Sequence, residues 1–335
     1  MSNLLAGLLG ALLATNQPAV VSNLVKQQTA LAVEVADPND PVEKEYRKIM
    51  EEDDAAAAEV DGWIQESQKL SDKEASVVNG TLRPRMKQRF DQVRKRYDDF
   101  LKMHPSHVRA RIAYGSFLND IGEEEEACRQ WEKAREIDPS QPAAWNNLAN
   151  YYGHNGEVLK AFECYDKAIT LSPGESVYYQ NLATMVYMFR KDAQGHYDLT
   201  EPQIKNRVMA LYQKALALDP KNFPLATELA QTYYGFKPPV SGDREAAQRA
   251  EKQHYEEALA AWETALAVAR DEIEREGVYL HFARINLMAG RIPEAERNLN
   301  LVTNKMYDLV KERLQKNLAR RDEKGISTPP VSLRP

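Results

Sequence analysis

The stretch AAWNNLANYYGHNGEVLKAFECYDKAITLSP, Ala143 to Pro173, decides how the rest of the chain is read. Trp145, Asn146, Asn147, Asn150, Tyr151, Tyr152, His154, Cys164 and Tyr165 crowd into a few helical turns, as residues around a reactive centre would. Their spacing points to packing instead. Pro139 and Pro173 lie 34 residues apart, and the same offset pairs Ala127 with Ala161, Ala134 with Ala168 and Gly122 with Gly156. It also pairs Trp131 with Tyr165, Leu118 with Tyr152 and Gly115 with Ala149. Coincidences in one register mark an internal repeat, in which each unit buries its apolar face on its neighbour.

Each position has a physical role. Ala149 and Ala161 are small because helices approaching to ~8–10 Å leave no room for long side chains at the crossing. Trp145, Leu148, Tyr152 and Tyr165 fill the space around that crossing. Gly156 ends the first helix in a left-handed conformation that a Cβ disfavours, and Pro173 stops the second.

Trp145, Leu148, Ala149, Tyr152, Gly156, Ala161, Tyr165, Ala168 and Pro173 together resemble the tetratricopeptide repeat, two antiparallel helices per unit. Val108 to Pro139 is a second copy that departs at Arg111, and Val93, Tyr97, Phe100 and Pro105 repeat the second-helix half. Downstream, Tyr179, Leu182, Ala183 and Val186 begin a copy that Val208, Tyr212, Ala215 and Pro220 complete. Leu229, Ala230 and Tyr233 begin another, completed by Ala258, Trp262 and Ala265. A degenerate last copy reads Phe282, Ala283, Gly290, Ala295 and Leu299. The resemblance implies an all-α fold, an α-solenoid of about five such units with helical caps.

Composition agrees with that expectation. The 335 residues are poor in Gly and in strand-like alternation, and the formal charge of -6 is spread over both signs. That balance argues against nucleic acid as the main partner. The expected organisation is an apolar segment over 1–39, a helical cap with a half repeat over 40–105 and a solenoid over 106–304. A capping helix over 305–324 and a disordered tail over 325–335 follow, and insertions interrupt the array near 190–203 and 236–252. The insertions should leave the same edge of the array.

The run LLAGLLGALLA, Leu4 to Ala14, is too short to span a bilayer. No Lys or Arg precedes it and no small-x-small site follows. The expectation is a short helix docked on the body of a cytoplasmic protein, with at most weak membrane contact. Export is the alternative if the run acts as a signal.

No sequence pattern points to a catalyst. GxxxxGK, HExxH, GxSxG and CxxC are absent, the six histidines are scattered, and Cys128 and Cys164 have neither redox nor zinc spacing. No cofactor or metal is implied, and the chain is read as a non-enzyme. The basic run RPRMKQRFDQVRKR (Arg83–Arg96) is read as a solvated helix face rather than an acidic-partner site.

What remains is recognition. In arrays of the family it resembles, inward positions of the first helices contact an extended peptide or a partner helix. Carried onto this chain they are Asn146, Asn147, Asn150, Gln180, Asn181, Thr184, Tyr187, Thr227 and Gln231. Such amides and hydroxyls suit the backbone of an extended protein or peptide ligand. Family members that hold chaperone C-termini use a carboxylate clamp of asparagines and cations. Here Asn150 and Asn181 stand in the asparagine places but Asn146, Pro224 and Glu228 stand in the cation places, so a terminal carboxylate would be uncompensated. The expected function is a non-catalytic scaffold or adaptor acting through a concave polar groove and an inserted edge. The alternative is a structural assembly subunit that self-associates or attaches to membrane through the apolar N-terminus.

Overall fold

The computed structural model describes residues 37, 39–69, 72–238 and 242–322, and of 72–80 only the backbone. The Leu4–Ala14 run and the 325–335 tail lie outside the described residues. Among the described residues there are 14 α-helices, one 3-10 turn and no strand. The fold is an all-α solenoid of helix pairs, and the chain divides into two compact units, 1–140 and 141–335.

In the first unit, α1 (Pro41–Gln68) begins where Asp40 accepts a hydrogen bond from the Val42 amide, with proline in the first turn. It lays Tyr46, Ile49, Ala56 and Val60 against α2 (Asp72–Met103), which buries Val93, Tyr97, Phe100 and Leu101. α3 (Val108–Asp120) and α4 (Glu124–Ile137) form the first full pair. The Tyr97 and Tyr114 rings stack at 5.0 Å, and their hydroxyls donate to Asp53 and Asp98. Arg111, standing where the repeat wants an apolar residue, donates to the Pro105 carbonyl at 2.7 and 2.9 Å and to Gln130 at 2.9 Å. The basic run is occupied locally: Arg89 meets Glu59, Arg96 meets Glu52, Lys87 meets Asp91 and Arg94 meets Glu123.

The second unit pairs α5 (Pro142–His154) with α6 (Val158–Leu171), and α7 (Ser176–Met188) with α9 (Glu201–Leu218) across the short α8 (Arg190–Tyr197). α10 (Phe223–Thr232) pairs with α11 (Arg244–Ala267), and α12 (Glu272–Met288) with α13 (Ile292–Asn300). After the 3-10 turn at Lys305–Tyr307, α14 (Asp308–Asp322) closes the array. Leu314 and Leu318 enter one core with Leu280, Leu287, Ala295, Leu299 and Val302.

The turn within each regular pair is a glycine at positive φ: +83° at Gly122, +77° at Gly156 and +74° at Gly290. At each, the following amide reaches back five residues at 2.8 Å (Glu123 to Leu118, Glu157 to Tyr152, Arg291 to Asn286). The glycine amide itself bonds three residues back, which completes a Schellman end. Arg190 and Lys237 hold the equivalent register in the other two pairs, and both insertions enter there. Without a residue suited to the left-handed turn, the chain leaves the helix by another route.

The insertions dock on the unit and on each other. His196 and Tyr197 of α8 lay their rings 5.3 and 5.4 Å from Phe162 on α6. Arg190 donates to the Gly235 carbonyl at 3.1 Å and stacks over Phe236 and Tyr187. Residues 244–252 of the second insertion continue α11 rather than form a loop.

Candidate partner-binding face

The first helices α5, α7 and α10 carry every sequence-selected position. Each helix buries its leucine and alanine stripe (Leu148 and Ala149, Leu182 and Ala183, Leu229 and Ala230), so residues a few places away emerge on another face. That face is polar because the amides and hydroxyls fall between the buried positions.

The structure brings most of these groups into contact with one another. Asn181 donates from Nδ2 to Asn146 Oδ1 at 3.0 Å, joining α7 to α5, and Asn146, itself buried, donates to Asn147 at 3.3 Å. Gln180 Nε2 lies 3.0 Å from both carboxylate oxygens of Glu228, joining α7 to α10. Adjacent first helices are therefore stitched by polar rungs. A second row ties the face to the helices behind it: Asn150 accepts from the Tyr165 hydroxyl at 2.6 Å, and Thr184 Oγ1 lies 2.9 Å from the Tyr212 hydroxyl. Burial raises the pKa of both tyrosines, that of Tyr212 to about 12, so both hydroxyls stay neutral.

The remaining positions fall at the margins. Thr227 turns back to the Pro224 carbonyl at 2.7 Å, and Gln231 is exposed. Tyr187 leaves the polar row: its hydroxyl packs where a Cβ on Gly235 would come within 1.9 Å, and its ring meets Phe236 edge-on at 5.5 Å. Glu228 was not among the selected residues, although it shares the repeat register of Asn147 and Asn181. That register was the signal that would have found it.

Among the described residues, no cluster of His, Cys, Asp and Glu could hold a metal ion, and both cysteines are buried thiols outside any disulfide. No described helix is long and apolar enough to cross a membrane.

The tetratricopeptide repeat matches this chain twice, over residues 87–142 and 142–175. The chain carries tetratricopeptide repeats, and with them the architecture of a class that mediates protein–protein interaction. ER membrane protein complex subunit 2-A of Xenopus laevis is 28% identical over 106 residues, covering 32% of this chain and 36% of that protein. The match thus spans about a third of that relative's length. Among solved structures, Pseudomonas aeruginosa pilF is similar at 15% identity and a TM-score of 0.49, over 80% of this chain and 99% of that one. YrrB, described as a TPR protein with an unusual peptide-binding site, is similar at 12% identity and a TM-score of 0.48, over 66% and 97%. The fold class stands on the helix pairs and glycine turns above rather than on these distant likenesses.

Proposed function

We propose that this protein is a non-catalytic scaffold that presents the polar face of α5, α7 and α10 to a protein partner, with the docked insertions as a fixed edge. The observation that supports this most is the pair of rungs, Asn146 to Asn181 and Gln180 to Glu228. They hold amides of two units and a carboxylate of a third in one orientation before any ligand arrives, which lowers the ordering cost of binding. An extended backbone has donors and acceptors to offer to such a row. Replacing Asn150 and Asn181 together by Ala should abolish capture of the partner while the helical circular dichroism is unchanged. Undiminished capture overturns this reading.

A second reading is a structural subunit of a larger assembly. The similarity to a subunit of an ER membrane protein complex favours it. So does the apolar start of the cap, where Met306, Leu309 and Val310 are exposed. Deleting Met1 to Val35 should then change the mass measured by light scattering, and an unchanged mass rules out assembly through the N-terminus.

A further inference from the structure

We infer that the partner is an extended chain segment recognised through a lysine or arginine side chain seated at Glu228, an inference that rests on the reading of α5, α7 and α10 as the working face.

The argument is one of charge. The asparagines, glutamines and threonines of this face are neutral, and Glu228 places a single half-buried carboxylate among them. Of the other half-buried carboxylates of the same unit, Asp166 meets Arg207 at 3.4 Å, Glu257 meets Lys205 at 3.4 Å and Glu274 meets Arg270, while Asp219 accepts from the Asn222 amide and Glu251 from the Tyr255 hydroxyl, neither of them on this face. Among the described residues Glu228 accepts from the amide of Gln180 alone, which fixes its direction without neutralising it. No Lys, Arg or His forms an ion pair with it among the described residues.

A carboxylate has about four acceptor sites, and one NH2 group cannot fill them. On the following first helix, α12, Arg284 lays its guanidinium over the Tyr234 ring at 4.6 Å and forms no ion pair with Glu228. A ligand ammonium or guanidinium brought to Glu228 gains a charge-assisted hydrogen bond in a partly desolvated place. An acidic segment meets repulsion there. Because alternate side chains of an extended segment point the same way, one basic residue can occupy Glu228 while the backbone runs along the amide rungs.

A displayed library of random peptides, selected on the intact chain and read by sequencing, tests this. Lysine and arginine should be enriched about five-fold at one position. Glu228→Gln keeps an oxygen for the Gln180 amide and should erase that enrichment, with peptide recovery otherwise retained and circular dichroism unchanged. Raising the salt should weaken the selected peptides on the wild-type chain only. If peptides are recovered without a basic preference, and Asn181→Ala reduces them all, the face is the working surface and the inference about Glu228 is overturned. If none is recovered, or if neither variant alters recovery, both readings fall.

Discussion

At the scale of single residues, the repeat works by matching volumes across the helix crossing. Ala161 is fully buried, so Ala161→Leu adds atoms where none fit and should cost about 1–3 kcal/mol in chemical unfolding. Gly115 is a sharper case. It stands where the next unit has Ala149, and a Cβ there would come within 2.3 Å of the Trp131 indole nitrogen. That indole donates to the Ile112 carbonyl at 3.1 Å and cannot move away without losing the bond. Gly115→Ala should therefore destabilise by about 1–3 kcal/mol. Adding Trp131→Tyr should recover part of the loss, since the Ala149 and Tyr165 pair shows that combination at the same register. A double-mutant cycle with no coupling would contradict the volume exchange.

Among the helices, the distinctive one is the C-terminal cap. Glu276 is buried at the start of α12 and accepts from the Asn304 amide at 2.7 Å, the Thr303 amide at 2.9 Å and the Thr303 hydroxyl at 2.8 Å. One carboxylate thus pins the segment that leads into α14. The Asn304 amide, then the Thr303 groups, hold its pKa below the usual carboxylate range. A carboxylate depressed in the folded state contributes stability above its unfolded pKa and loses it as the pH falls through the folded one. Glu276→Gln should lower the melting temperature at neutral pH. The difference from wild type should shrink as the pH drops below about 4, where the native carboxylate protonates too. A difference that stays constant down to the acid range would show that the charge does not matter.

Across the whole molecule, the two readings of function are separated by which surface works. If the polar face does, the Asn150 and Asn181 double variant loses its partner and deletion of Met1 to Val35 leaves the mass of the assembly unchanged; if assembly does, the double variant keeps its partner and the deletion changes that mass. Asn150→Ala also strips the acceptor from the Tyr165 hydroxyl, which should cost about 1–3 kcal/mol. Thermal melting must therefore accompany the binding assay, so that lost capture is read as lost recognition and not as lost fold.

The sequence by itself determined the repeat register, the helix pairs, the glycine turns and the places where the two insertions enter. Those features depend on residue size and backbone conformation at fixed spacing, and Gly122, Gly156, Ala149 and Ala161 state them in one dimension. It also placed the polar positions on the first helices. What it could not state is which of those groups are already engaged. Asn181 finds Asn146 and Gln180 finds Glu228 across 35 and 48 residues of chain, at distances that packing alone sets. Only the tertiary structure turned a set of amides into rungs, moved Tyr187 out of the row, and set Glu228, the one carboxylate of α5, α7 and α10, among them. The reason is that pairing between polar groups depends on ångström separations between helices, which a repeat pattern does not specify.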